Sequence, residues 1–428
     1  MSAASSAEWA TTVGIGDIAV VLAVAGAFSW AFTRLRQPAV IGEIVAGICL
    51  GPSLLGLLPG DLPSVLFPPE VKSLLGFLAQ VGILLFMFVI GWEFEPGRVR
   101  GRLRSTGAIW VCSMALPMLL GAGLALLLYD AHRVVNGHTV GREEFVLYMA
   151  VAMSISAFPV LARIISEKGL NRSRAGALAL TLAAADDVLA WCFLAVVVAR
   201  VTADDAYGLI AVALWSGVFV VGMFVVVRPL ARVLAQRCAA RGSVAFGTSV
   251  AAVGLFASSY VTSVIGIHAI FGAFLFGVVL PRESALPALL PVRTTMEQAS
   301  RLLMPVFFVT VGLKVDLTSI MGTGLGETLL IILVAVVGKL AGVALPARVG
   351  GMDWNDSVTL GLLMNTRGLT ELIVLNVGLS LGLMTTELFT SMVVMALVTT
   401  AMAGPLLSLL RPPVPVDPGD RAVRVAEG

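Results

Sequence analysis

The sequence predicts an all-α polytopic membrane protein, and three observations carry that reading: an apolar composition, a series of hydrophobic spans, and two patterns that recur seven spans apart. Of the 428 residues, 58% are hydrophobic and 13% charged, and the mean hydropathy is +0.98. Soluble domains typically carry about 25% charged residues. A soluble globular fold is therefore excluded, and the bilayer is the expected solvent. The formal net charge of +2 is too small to imply nucleic acid as a partner.

A helix crosses a bilayer with about 20 apolar residues. Thirteen hydrophobic spans answer to that, at about 15–33, 38–57, 72–92, 105–129, 144–166, 173–199, 206–228, 244–264, 267–281, 301–317, 327–348, 356–382 and 385–410. Spans nine and ten are short and are expected to be tilted or partly covered by neighbours. The first Lys or Arg is Arg34, so no basic segment of a signal peptide precedes span one, which is expected to be retained. Cys49, Cys112, Cys192 and Cys238 show no CxxC spacing and are expected to pack rather than to form disulfides or hold a metal.

Orientation follows from basic residues concentrated in alternate loops. These are Arg34 and Arg36; Arg98, Arg100, Arg102 and Arg104; Lys168, Arg172 and Arg174; and Arg228, Arg232, Arg237 and Arg241. By the positive-inside rule those loops are cytoplasmic. Lys72, Arg133, Arg142, Arg200 and Lys314 fall on the other side. An odd number of crossings puts the N-terminus outside and the C-terminus in the cytoplasm. The expected location is a plasma or inner membrane.

Glu43-Ile-Val-Ala-Gly47-Ile-Cys-Leu-Gly51 in span two lines up with Ala269-Ile-Phe-Gly272-Ala-Phe-Leu-Phe-Gly277 in span nine. Met87-Phe-Val-Ile-Gly91-Trp-Glu-Phe-Glu95 in span three echoes Phe308-Val-Thr-Val-Gly312-Leu-Lys-Val-Asp316 in span ten. An odd offset means the copies cross in opposite directions. That is an inverted-topology repeat, which in secondary transporters places the site near the midplane, where the repeats meet.

Span six holds the adjacent acids Asp186 and Asp187 inside an apolar run from Ala175 to Ala199. A charged side chain at such depth costs roughly 2.5–3.5 kcal/mol on insertion scales, and intramembrane acids mark ion or proton paths. The alternative is a structural pair neutralised by a proton or a basic partner. Span five carries Ser154-Ile-Ser156-Ala-Phe-Pro159, and span twelve, seven later, carries Asn365-Thr366-Arg367-Gly368-Leu-Thr370-Glu371. Proline and glycine allow both spans to unwind near mid-membrane, where freed carbonyls and helix ends could meet an ion. A plain kink is the simpler reading of span five. The i,i+4 spacing of Arg367 and Glu371 suits an intrahelical ion pair if the helix continues there. Span eleven carries Lys339 near its middle. It needs a carboxylate, and Asp186 and Asp187 are the candidates at its level. Successive helical residues point about 100° apart, so one Asp could face Lys339 and the other an aqueous cavity.

Together with Gln37-Pro-Ala-Val-Ile-Gly42-Glu43, Gly51-Pro-Ser-Leu-Leu-Gly56 and Ala157-Phe-Pro-Val-Leu-Ala-Arg163, these stretches resemble the monovalent cation:proton antiporter-2 family over about Gly14 to Leu410. Spans five and twelve are most similar to its plant and fungal cation/proton exchanger branch. The resemblance implies a sodium/proton-antiporter-like fold with two crossed broken helices. It also implies a homodimer with dimerisation helices, a mobile core at about 105–199 and 327–410, and elevator-type alternating access. It makes Asp187 the cation and proton site, with an alkali cation bound there, and Asp186 the partner of Lys339. Ser154, Ser156, Asn365 and Thr366 would line the site, with Arg367 and Glu371 as further charge partners. Trp92 stands where the family usually has Leu. Residues 1–410 are expected to form the membrane domain and 411–428 a short, disordered cytoplasmic tail, which makes nucleotide-domain gating of the potassium-efflux type unexpected.

The expected activity is exchange of Na⁺ or K⁺ for H⁺, not enzymatic catalysis. No cofactor is implied, since there is no Walker-type Gly-x4-Gly-Lys-Ser/Thr stretch. A proton-independent cation channel could use the same acids. An intramembrane aspartyl protease is disfavoured, because its two acids must share a proton face to face and neighbours on one helix diverge. His132 and His138 fall in an external loop and His268 at the outer end of span nine, so all three are expected to be solvated or capping groups.

Overall fold

The computed structural model describes residues 3–410 apart from 36, 61, 94–95, 171–172, 203–205 and 282–286. The tail expected over 411–428 lies outside the described residues. The first half of the chain forms α1 (Ala3–Arg34), α2 (Ala39–Leu50), a short α3 (Leu62–Leu66), α4 (Pro69–Glu93), α5 (Pro96–His132), α6 (Arg142–Ser154), α7 (Phe158–Glu167) and α8 (Arg174–Thr202). The second half forms α9 (Ala206–Gly222), a π turn over Met223–Val227, α10 (Arg228–Arg241), α11 (Val244–Ile265), α12 (Ala269–Val279), α13 (Leu290–Gly312), α14 (Thr323–Val349), α15 (Trp354–Met364), α16 (Leu369–Ser380) and α17 (Thr386–Leu410).

Helix occupies every one of the thirteen predicted spans. Ten stretches among the described residues are long and apolar enough to cross a membrane. The broken stretch 142–167, the short α12 and the charged α13 fall outside that set. Two of the four expected basic loops are helical instead: Pro96 starts α5 before Arg98–Arg104, and α10 carries Arg228–Arg241. Arginine is a good helix former, so a hydropathy boundary ends before the helix does. One strand pair also departs from the all-helical expectation. Val134–Val135 and His138–Thr139 pair through Asn136-Gly137, both at positive φ, which is the turn chemistry of a two-residue hairpin.

Four helices give the repeat its geometry. α2 packs on α13, and its sequence counterpart α12 packs on α4, the counterpart of α13. Each contact is backbone against backbone. A Cβ on Gly47 would collide with Val309 O, and one on Gly312 with Ile44 O; in the other copy Gly91 meets Phe274 O and Gly277 meets Phe88 O. Small residues at these points allow the close approach that membrane helices use in place of a hydrophobic driving force. Trp92, at the end of α4, donates its indole N–H to Pro281 O at 3.0 Å and packs edge-on against Phe88. A second group of helices packs around α5 and α14: α6 and α8 join α5, and α15 and α17 join α14. The broken pairs α6/α7 and α15/α16 belong to this second group.

His132 differs from expectation. It ends α5 buried, with Nδ1 2.8 Å from Thr385 Oγ1 and Nε2 3.1 Å from Glu327 Oε2. The helix runs farther than the hydrophobic span, and so carries the ring inward between α14 and the start of α17. His268 caps α12, accepting from the Ile270 N–H.

The glycine contacts are testable. Gly47→Val and Gly312→Val are each expected to destabilise the purified protein by about 1–3 kcal/mol, the usual cost of overpacking. Gly217→Ala, with nothing within 4 Å of its added methyl, should leave thermal unfolding unchanged. Equal melting temperatures for all three variants would contradict this packing.

Candidate functional site

Two breaks meet at the centre of the second helix group. α6 ends at Ser154 and α7 begins at Phe158; α15 ends at Met364 and α16 begins at Leu369. In the membrane each unwound residue must find partners for its backbone inside the protein. The two breaks supply one another: Ala157 N–H donates to Thr366 O at 3.2 Å, and Ser156 Oγ to Met364 O at 2.8 Å. Gly368 permits a close approach to the start of α7, since a Cβ there would stand 2.6 Å from the Val160 side chain. Pro159 lies within α7, so the unwound residues of the first break precede it.

Arg367 closes the remaining gap. Its guanidinium is fully buried and donates through Nη1 to Ala152 O at 3.1 Å and through Nη2 to Met153 O at 2.7 Å. Those are terminal carbonyls of α6 with no intrahelical partner, at the negative end of the helix dipole. Nη1 also donates to Glu371 Oε1 at 2.9 Å, while the Arg367 N–H donates to Thr400 Oγ1. The i,i+4 ion pair thus forms although the helix does not continue: Arg367 lies in the break and Glu371 in the first turn of α16.

The adjacent acids on α8 part company as their 100° separation requires. Asp186 Oδ2 accepts from Lys339 Nζ at 3.1 Å, with neither side chain exposed. Lys339 also donates to Ser113 O at 3.1 Å. That carbonyl is free because Pro117, four residues on within α5, has no N–H to give it. Asp187 turns the other way, accepting from Thr370 Oγ1 at 3.0 Å on α16, with the backbone N–H of Phe158 at the start of α7 near its carboxylate. A helix N-terminus is a favourable place for an anion.

Among the remaining expected site residues, Ser154 Oγ donates to Val151 O and Thr366 Oγ1 to Leu363 O, each within its own helix end. Those hydroxyls satisfy terminal carbonyls, as Ser156 does across the crossing. Asn365 is buried, and its side-chain amide makes no hydrogen bond within the described residues. Thr370 was absent from the expected set. Its signal was available, since it stands at the second position of the helix that the second break starts.

Asp187, Asp186, Lys339, Arg367 and Glu371 are all buried. Three are acids and two are bases. Two pairs are made, and Asp187 is the acid left with hydroxyl and N–H donors but no cation.

Buried ionisable groups beside two unwound, crossed helices, inside an inverted repeat, define the architecture of a secondary transporter. The family model described as sodium/hydrogen exchanger, transmembrane, matches residues 19–410, and the chain belongs to that family. It is 36% identical over 400 residues to the Na(+)/H(+) antiporter NhaS4 of Synechocystis sp., covering 93% of this chain and 97% of that one. It is 37% identical over 427 residues to cation/H(+) antiporter 17 of Arabidopsis thaliana, covering 98% of this chain and 51% of that one. It is 31% identical over 412 residues to K(+)/H(+) antiporter 1 of Saccharomyces cerevisiae, covering 94% and 46%. The chain therefore spans about half the length of those plant and yeast relatives. The solved sodium proton antiporter MjNhaP1 of Methanocaldococcus jannaschii shares the fold, with a TM-score of 0.67 at 13% identity over 93% of this chain and 96% of that one.

Removing one member of a buried ion pair typically costs about 3–5 kcal/mol, because the other charge is left uncompensated. Lys339→Gln and Asp186→Asn are each expected to destabilise on that scale, and the double variant by clearly less than the sum. Chemical or thermal unfolding of the four proteins gives the coupling, and additive losses would show that the pair contributes nothing. Arg367→Lys keeps the charge but not the fork across Ala152 O, Met153 O and Glu371. It is expected to cost about 1.5–3 kcal/mol for each charged hydrogen bond lost. Wild-type stability would remove Arg367 from the role of closing α6.

Proposed function

We propose that the protein is a secondary antiporter exchanging a monovalent cation, Na⁺ or K⁺, for H⁺ across the membrane by elevator-type alternating access. The observation that carries this is the unmatched Asp187. With Asp186 on Lys339 and Glu371 on Arg367, one buried negative charge remains, and a proton or a small cation neutralises it equally well. A proton converts the carboxylate to a neutral acid. A cation instead takes its oxygens as ligands, as hard alkali ions require, with the Asn365 and Thr370 oxygens and freed carbonyls of the breaks as further candidates. The two occupants exclude one another at one carboxylate, so each displaces the other.

Coupling follows from the cost of moving charge through hydrocarbon. A core with Asp187 empty and ionised carries a net buried charge, while the occupied core carries none. Only the occupied core crosses readily. The moving body would be α5–α8 with α14–α17, which share the acids and both breaks. α1, α2, α4 and α9–α13 would be the scaffold. The relatives named as Na(+)/H(+), K(+)/H(+) and cation/H(+) antiporters support the same reaction class. The N-terminus would face outside and the C-terminus the cytoplasm of a plasma or inner membrane. The implied homodimer would use lipid-level apolar faces, of which those of α1 and α9 are the least covered.

The test is a proteoliposome assay with an imposed inward-acid pH gradient, Na⁺, K⁺, Li⁺ or Rb⁺ added outside, and internal pH followed. Cation-driven, saturable pH recovery is expected. Asp187→Asn should abolish it while leaving a monodisperse protein. Recovery by the Asn variant at near wild-type rate would remove Asp187 from the site, and cation flux that ignores pH would favour a channel.

A further inference from the structure

Two cavities separate the proposed core from the proposed scaffold, and their charges differ. One, of about 400 Å³, is lined by Leu369, by Glu43, Glu93 and Glu297, and by Arg163 and Arg301. Leu369 precedes the Thr370 that binds Asp187, so this cavity reaches the edge of the site. It lies on the side of the arginine-rich segments. The second, of about 320 Å³, is lined by Lys72 and Gln80 of α4, Thr310 of α13, Lys314 just beyond it, and Asn376 of α16. Asn376 is six residues along α16 from Thr370, about 9 Å, with the buried Phe307 forming part of the wall. Among the described residues no Asp or Glu lines this second cavity, and neither lysine is in an ion pair.

For a protein that binds cations, two unpaired ammonium groups at a mouth are the wrong sign for capture. Lys314 is not free to swing away. Its Nζ donates to Asn376 Oδ1 at 2.7 Å, which bridges scaffold to core. A neutral amide fixes the charge in place without cancelling it.

We infer that Lys72 and Lys314 make this vestibule cation-repelling: they weaken binding of Na⁺ or K⁺ from the side read as external and so raise the apparent KM on that face alone. The inference rests on the antiport reading. A unit charge about 10 Å away in a water-like medium changes a binding constant about two-fold, and mobile salt removes most of that at high ionic strength.

The experiment uses proteoliposomes of determined orientation, measuring apparent KM for Na⁺ and for K⁺ from each side. Lys72→Gln and Lys314→Gln are each expected to lower KM about two-fold, and together about four-fold, on the lysine side only. The change should shrink in about 500 mM choline chloride. Lys314→Arg should behave as wild type. Unchanged KM or an equal change on both sides would overturn the inference.

A wild type that exchanges nothing would instead sink the antiport reading. A transport-free readout keeps the two apart. With Gln80→Cys in a background without the four native cysteines, modification should be faster with an anionic methanethiosulfonate than with a cationic one. That preference should fall in the double lysine variant. No preference in the lysine-bearing protein would overturn the electropositive vestibule outright.

Discussion

Everything at the centre of this protein depends on one constraint: two helices are interrupted where no water is available to their backbones. An interruption leaves carbonyls at one helix end and N–H groups at the next, each costly to bury unpaired. The crossing answers by pairing the ends with each other and with side chains. Carbonyls receive Arg367, Ser156, Ser154 and Thr366. The start of α7, at the opposite pole, has an acid, Asp187, beside the N–H of Phe158. The cationic and anionic groups are therefore placed by the same requirement that places the breaks. The proposed site for a small cation would then emerge from unsatisfied backbone, with no separate cage.

The inverted repeat supplies two breaks, but the side chains are not symmetric. The first break reads Ile155-Ser156-Ala157 and contains no charge, whereas the second contains Arg367 and has Glu371 one turn beyond. One arginine serves both, since it sits in the second break and closes the helix end of the first. A symmetric copy would bury a second guanidinium needing its own counter-charge. The asymmetry leaves room for the acids of α8, and Lys339, arriving from α14, takes just one of them.

The fold was legible because its strongest signals are long. Helix occupies all thirteen hydrophobic segments, and most of the glycines that revealed the repeat lie where its helices touch, Gly47 at Gly312 and Gly91 at Gly277, whereas Gly272 meets Ser258 of α11. Helix ends were less legible, because hydropathy stops where arginine begins and the helix of Arg98–Arg104 does not. At the site, the separation of Asp186 from Asp187 followed from helical angle alone. The hydroxyls were harder. Serine and threonine at a break can face an ion or a carbonyl, and sequence spacing does not distinguish these; Ser154 and Thr366, expected to line a site, donate their protons to their own helix ends. The second acceptor of Lys339 was also missed. Ser113 contributes through its backbone, and the residue that frees it is Pro117, whose mid-span position carried the signal.

The arithmetic of buried charge ties these details to direction of transport. If Lys339 had no acid, or if Asp187 had its own base, a bound cation would add charge to the core instead of removing it, and occupancy would hinder crossing. With three acids against two bases at the crossing, occupancy by one positive charge is the neutral state, whichever ion supplies it. Selection between proton and cation then lies outside the pairings, in the ligands around Asp187, while the fields of the two vestibules act on either ion alike. In the proposed elevator the second of these fields would be set by residues of the scaffold and its loops, Lys72 and Lys314 among them, which would not travel with the core and so would act on one face of the membrane only.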